Sequence, residues 1–129
     1  MSLGHMLEES CLAFPEHAVL IQEERRLTYS SLNRAVNSLG NNLREAGLAK
    51  GDKIALMLPN CPEFVIAYFA AQKIGAVAVT LNVLSTPYEL RHLLGNSDAK
   101  GLITTTMLAC KFQEIAGDLP LCKYLLLYD

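Results

Sequence analysis

Cys61 stands directly before Pro62-Glu63, and a proline at the first position of a helix would place this thiol at the positive end of the helix dipole. A thiol so placed is the best nucleophile the chain offers. Nucleophilic catalysis also needs a base within reach. His5, His17 and His92 all lie far from Cys61 in the sequence, and a helix cap or a small buried residue is the reading its surroundings support. Thr104-Thr105-Thr106 is the one hydroxyl run at the end of an apolar segment. Phosphate cradles need glycine so that backbone amides can approach, and without one this run reads as a helix cap. Glu63 and Glu89 suit helix starts, and Asp52 and Asp98 suit turns. No carboxylate pair stands out for acid–base work.

The four cysteines, Cys11, Cys61, Cys110 and Cys122, are widely spaced, and none forms a CxxC pair or clusters with a histidine. That spacing excludes the common zinc patterns and a secreted disulfide scaffold. Reduced thiols in a cytoplasmic protein are expected. A Rossmann glycine fingerprint is absent after the first apolar strand, where Pro59-Asn60-Cys61-Pro62 stands instead, and there is no GxxxxGK[ST]. No position is therefore assigned a catalytic, cofactor-binding or metal-binding role.

The elements that would position any site are clearer. At 129 residues, 51% hydrophobic and 19% charged, the chain is one globular domain with a sizeable core. Its net charge of −2 and lack of a basic run give nucleic acid nothing to hold. Phe64 to Leu84 is the most membrane-like stretch, but Gln72, Lys73 and Gly75 divide it into a buried helix and a buried strand, and no transmembrane segment is expected. Residues 1–6 lack the pattern of a signal peptide and read as a cloning remnant with a second start at Met6, outside the expected fold.

Ala18 to Ile21 and Leu27 to Tyr29 predict a short hairpin around a charged turn over Gln22 to Arg26. Leu32, Val36, Leu39 and Leu43 recur at helical spacing, with Thr28 as N-cap and Gly47 as stop. An apolar strand follows over Lys53 to Leu58, then a helix from Pro62 to Ile74 that is apolar nearly all round and needs cover on more than one side. Val77 to Leu81 is a β-branched strand, and Thr86-Pro87-Tyr88-Glu89 is a capping box opening a helix with a stripe of Leu90, Leu93 and Leu94. A strand at Gly101 to Thr104, a helix from Met107 to Ala116 and a strand at Tyr124 to Tyr128 complete the pattern. Near-continuous apolar strands alternating with helices predict an α/β fold. It is a three-layer αβα sandwich with a mainly parallel sheet, preceded by the hairpin.

Leu27-Thr28-Tyr29-Ser30-Ser31-Leu32 resembles the block L-[TS]-Y-x-E-L of the AMP-forming acyl-CoA synthetase and adenylate-forming superfamily, with Ser31 where glutamate is common. The segment from Gly51-Asp52-Lys53 to Asn60-Cys61-Pro62-Glu63-Phe64 is similar to that family's G-D-x-V-A-x-x-x-x-N-x-x-E-F. Lys73-Ile74-Gly75-Ala76 is similar to its K-x-G-A, with Thr80 at a common proline position, and Leu81-Asn82 to Glu89-Leu90 resembles the stretch found in fatty-acyl-CoA ligases. Order and spacing agree from about Ala18 to Thr105.

The resemblance implies a parent enzyme that turns a carboxylic acid, ATP and coenzyme A into acyl-CoA, AMP and pyrophosphate, with magnesium and with a fatty acid as the expected substrate. It implies that residues 7–129 form the N-terminal subdomain of the large AMP-binding domain, truncated ahead of the phosphate loop, the acidic and ribose-binding residues and the adenylation lysine. The chain itself is then expected to be inactive, to bind no cofactor and to have the remainder of its own chain as partner. Exposure of the helix at Pro62, the last strand and the sheet edges would favour self-association. A fragment of an aryl-acid ligase or peptide-synthetase adenylation domain, or a complete small α/β binding module, are the alternatives.

Overall fold

The computed structural model describes residues 3–128. Four parallel strands make its sheet: β3 (Lys53–Met57), β4 (Val77–Thr80), β5 (Gly101–Thr105) and β6 (Tyr124–Tyr128), in the order β4-β3-β5-β6. A two-stranded antiparallel hairpin, β1 (Ala18–Gln22) and β2 (Arg25–Thr28), stands apart. The helices are α1 (Leu3–Ala13), α2 (Tyr29–Glu45), α3 (Pro62–Lys73), α4 (Pro87–Ser97) and α5 (Thr106–Gln113), with one 3₁₀ turn at Ala116–Asp118. This is the expected three-layer α/β fold behind a hairpin. Among the described residues no helix is long and apolar enough to cross a membrane.

Alternation along the strands builds two cores. Ile54, Leu56, Leu58 and Ile103 face Leu32, Val36, Leu39 and Leu43 of α2 and Ile66, Ala67 and Ala70 of α3. Ala55, Met57 and Leu102 face the other way, against Leu90 and Leu94 of α4 and Phe112 and Ile115 near α5. The chain steps from β3 to β4 in one direction, then back past β3 to β5. Crossovers of constant hand put helices on opposite faces when the direction reverses, which is why α3 lies on one side and α4 and α5 on the other.

Local chemistry explains the ends of the elements. Thr28 Oγ1 accepts the Ser31 amide at 3.1 Å, capping α2 without the glutamate usual at that place. Thr86 and Glu89 exchange both bonds of the capping box at 3.2 Å each. Helix α2 ends in a Schellman motif: Gly47 takes φ 101°, its N–H donates to the Arg44 carbonyl, and the Leu48 N–H donates to that of Leu43. Asp98, at φ 55°, fills the same left-handed position after α4, a place more often taken by glycine.

The structure departs from expectation in four places. Residues 3–6, excluded from the expected fold, belong to it: they open α1, whose Gly4 and Leu7 are buried. The hairpin turn is only Glu23-Glu24, with Gln22 and Arg25 already paired. Leu93 is 42% exposed rather than part of the α4 stripe, because α4 meets the sheet through Leu90 and Leu94 alone. Helix α3 is not an exposed face: α1, α2 and β1 pack against it, and its apolar residues are buried or half-buried.

Candidate functional site

In an open parallel sheet, ligands collect beyond the carboxyl ends of strands where adjacent strands lead to opposite faces. Here the strand order reverses between β3, which leads to α3 on one face, and β5, which leads to α5 on the other; beside that point, at the carboxyl ends of β3 and β4, the surface is open. A cleft of about 470 Å³ lies there, lined by Leu58, Pro59, Asn60, Phe64, Thr80, Leu81, Asn82 and Val83. None of these side chains titrates, so the cleft holds no general acid or base of its own. Its polar atoms are partly committed: the Asn60 carbonyl accepts from Gln22 Nε2 at 2.9 Å, and Asn82 Oδ1 accepts the Leu84 amide at 2.8 Å. Lys111 Nζ donates to the carbonyls of Val83 and Ser85 at 2.8 and 2.9 Å, pinning the loop after β4.

The threonine run at the end of β5 is used locally. Thr104 is fully buried and its hydroxyl donates across the sheet to the Met57 carbonyl at 2.7 Å. Thr105 caps α5 through the Leu108 amide at 3.2 Å. The expected capping role is met, one residue later than the run begins. With no glycine here and two hydroxyls spent, the end of β5 lacks a glycine-type cradle of backbone amides.

Cys61 takes the N-cap position of α3 but makes no side-chain cap bond. Burial pushes its thiol pKa up, and the neighbouring Glu63 carboxylate adds to this against opposing backbone amides. The helix end therefore leaves this thiol unactivated. Burial also pushes Glu63 up, but the Arg25 guanidinium at 2.7 Å, its own amide and the Cys61 thiol outweigh it and hold the carboxyl below its usual range. The histidines are scattered: His5 pairs with Glu9 at 3.3 Å, His17 stacks on Phe14, and His92 meets the edge of Tyr88. Among the described residues no group of His, Cys, Asp or Glu is placed to hold a metal ion.

Burial alone pushes the Cys122 thiol up to about 11. Near pH 8 only roughly one Cys122 in a thousand would be thiolate. Iodoacetamide is therefore expected to alkylate exposed Cys110 well before Cys122 in the folded chain, as read by mass spectrometry of partial digests. Equal rates at the two sites would contradict the packing around Cys122.

Two lysines do structural work that residue types alone did not reveal. Lys73 Nζ sits beside a polar cleft of about 500 Å³ between α1, α2 and α3. It donates to Glu8 Oε1 at 3.0 Å, Asn33 Oδ1 at 2.6 Å and Asn37 Oδ1 at 2.7 Å, so all its protons are committed. At the amino ends of the strands, Lys100 bonds the Gly47 carbonyl and Asp52 Oδ2. The Ala49 amide, and then Lys100 against the opposing effect of burial, hold the Asp52 carboxyl below its ordinary value. Its stabilising contribution is present above the ordinary aspartate range and is lost as pH falls through the lowered value.

The resembling blocks occupy coherent positions on this fold. Leu27 to Leu32 joins the end of β2 to the first turn of α2, Gly51 to Phe64 carries β3 into α3, and Lys73 to Val79 closes α3 and opens β4. The profile of the AMP-binding enzyme family matches residues 7–127. The chain belongs to that family. Over 104 residues it is 36% identical to a 3-hydroxybenzoate–CoA/4-hydroxybenzoate–CoA ligase of Thauera aromatica, a match covering 81% of this chain and 20% of that protein. Over 122 residues it is 37% identical to a crotonobetaine/carnitine–CoA ligase of Salmonella paratyphi B, covering 91% and 24%. Among solved structures, a Mycobacterium tuberculosis fatty acyl CoA synthetase superposes with a TM-score of 0.93 at 28% identity, over 99% of this chain and 26% of that one. The chain thus spans about a quarter, or less, of the length of these relatives.

Proposed function

We propose that this chain is the N-terminal subdomain of the large domain of an ATP-dependent acid–CoA ligase, serving as scaffold rather than as catalyst. The parent would join a carboxylic acid to AMP with release of pyrophosphate, then pass the acyl group to coenzyme A. The observation that carries the proposal is the family match through residues 7–127 on a fold that superposes on a fatty acyl CoA synthetase. ATP, magnesium and coenzyme A would be held by the remainder of the parent, a reading supported by the lack of a glycine cradle at the end of β5, where Thr104 and Thr105 are spent on local bonds.

A fatty acid is the proposed substrate, on the resemblance of Asn82 to Leu90 to fatty-acyl-CoA ligases. A second reading, an aryl acid, is favoured by the 36% identity to the hydroxybenzoate ligase. A cytoplasmic setting accords with four unpaired cysteines. The test is an assay of the longer parent polypeptide for AMP formation that depends on both coenzyme A and an added acid. A medium- or long-chain fatty acid is expected to support turnover best. Preference for 3-hydroxybenzoate would transfer the proposal to the aryl branch. No acid-dependent AMP with either class would overturn it.

A further inference from the structure

The two walls of the cleft at the carboxyl ends of β3 and β4 are each tied to a distant element. After β3, the Asn60 carbonyl accepts from Gln22 Nε2 of β1, 38 residues away. After β4, the carbonyls of Val83 and Ser85 both accept from Lys111 Nζ of α5, 28 and 26 residues away. The other bonds between Asn82 and Thr86 are local. The Leu84 amide donates to Asn82 Oδ1 at 2.8 Å, the Ser85 amide to the Asn82 carbonyl at 3.0 Å, and the Thr86 amide to Glu89 Oε1 at 3.2 Å.

Local bonds keep a turn in shape but do not say where it sits. Val83 is half-buried against the core under α4 and α5, and Ser85 is buried, while Asn82 and Leu84 are exposed. Apolar contact holds such a loop without fixing its direction. Directed bonds to another element come from Lys111, whose partners are unusual for a lysine. None of the ion pairs among the described residues involves it, and its ammonium goes to two neutral carbonyls of one loop. Holding a long side chain in one geometry costs rotamer freedom, and here two charge-assisted bonds offset that cost.

We propose that Lys111 is a positioning residue: its ammonium clamps the loop between β4 and α4 and so sets the wall of the cleft formed by Asn82 and Val83. The consequence for catalysis rests on the ligase reading above. Binding of a substrate that uses the cleft weakens when the clamp is lost, while the chemical step does not.

Lys111→Met keeps an unbranched stem and removes the ammonium, whereas Lys111→Arg keeps the charge and several donors. Amide exchange of the 129-residue chain, followed by NMR, reads the clamp directly. In Lys111→Met the Leu84 and Ser85 amides are expected to exchange about tenfold faster or more, with the Leu48 amide after α2 changed by less than about twofold. Lys111→Arg is expected to keep most of the protection. In the longer parent, Lys111→Met is expected to raise KM for at least one of ATP, acid and coenzyme A by about fivefold or more, with kcat within about twofold, and Lys111→Arg to reverse the rise. Unchanged exchange at Leu84 and Ser85, equal acceleration at Leu48, an unchanged KM for all three substrates, or a fall in kcat alone would each overturn the proposal. A parent without acid-dependent AMP formation would sink the ligase reading, and the exchange contrast would still decide the clamp.

Discussion

Replacing Lys73 by methionine is expected to destabilise the folded chain by about 1–2 kcal/mol, the net loss of hydrogen bonds from a charged donor whose partners, half-buried Asn33 and exposed Asn37 and Glu8, regain water. The side chain is only 10% exposed and joins three helices: Glu8 on α1, and Asn33 and Asn37 on α2, all from the last residue of α3. Methionine keeps an unbranched stem of similar length, so the loss reports on the ammonium and not on volume. A Cβ on Gly4 would come within 2.8 Å of Lys73 Cγ, which shows how closely α1 lies on this stem. Glu8 is different, since its own side chain is 52% exposed. Its change to glutamine is expected to cost under about 1 kcal/mol, as for exposed ion pairs. Urea unfolding of the three proteins checks the contrast. Amide exchange along α1 should speed up in the Lys73 variant before global unfolding does. Equal costs for Lys73→Met and Glu8→Gln would show that the bonds to Asn33 and Asn37 add nothing beyond the Glu8 ion pair.

Truncation of Leu56 to alanine is expected to cost about 3–5 kcal/mol, from lost burial and the cavity left behind. Leu56 is fully buried in β3, the strand flanked by both β4 and β5, and its side chain belongs to the core under α2 and α3. A central strand of a sheet covered on both faces has little room to collapse, which places the cost in the upper part of the range seen for such truncations. Domains are commonly stable by only about 5–15 kcal/mol, so this variant should sit near the edge of folding. Leu84→Ala is the control: Leu84 is 81% exposed, and its change should stay within about 0.5 kcal/mol. Chemical denaturation midpoints at constant slope read both. A cost below about 1.5 kcal/mol for Leu56→Ala would mean that the two-sided core is looser than its burial implies.

What the sequence made legible follows the range of the interactions. The capping box at Thr86 and Glu89 and the glycine stop at Gly47 involve residues a few positions apart, and both formed as expected. The parallel sheet was readable because runs such as Lys53 to Met57 are apolar on both faces. Helix α1 was not readable. It buries only Gly4 and Leu7, carries a glycine in its first turn, and is held by a lysine 65 residues away from Glu8. Its missing stripe also misled the reading of α3, whose all-round apolar surface seemed to await a distant partner while α1 and β1 already covered part of it. At the strand ends, Thr105 as a cap follows from a hydroxyl ahead of a helix. The turn of Thr104 toward the Met57 carbonyl depends on the neighbouring strand, and no local pattern could place it. Leu93 was lost for a geometric reason: three- and four-residue steps both suit a helix stripe, and only contact with the sheet chooses between them.

We propose above all that this chain is a folded scaffold within an AMP-binding enzyme and contributes no nucleotide site of its own. Calorimetric titration of ATP with magnesium into the 129-residue chain, checked as folded by circular dichroism, addresses it most directly. The expected result is heat indistinguishable from dilution and no rise in unfolding temperature at saturating nucleotide, since a ligand that binds only the folded state must stabilise it. A saturable heat with a matching upward shift in unfolding temperature would contradict the account and place a nucleotide site within residues 1–129.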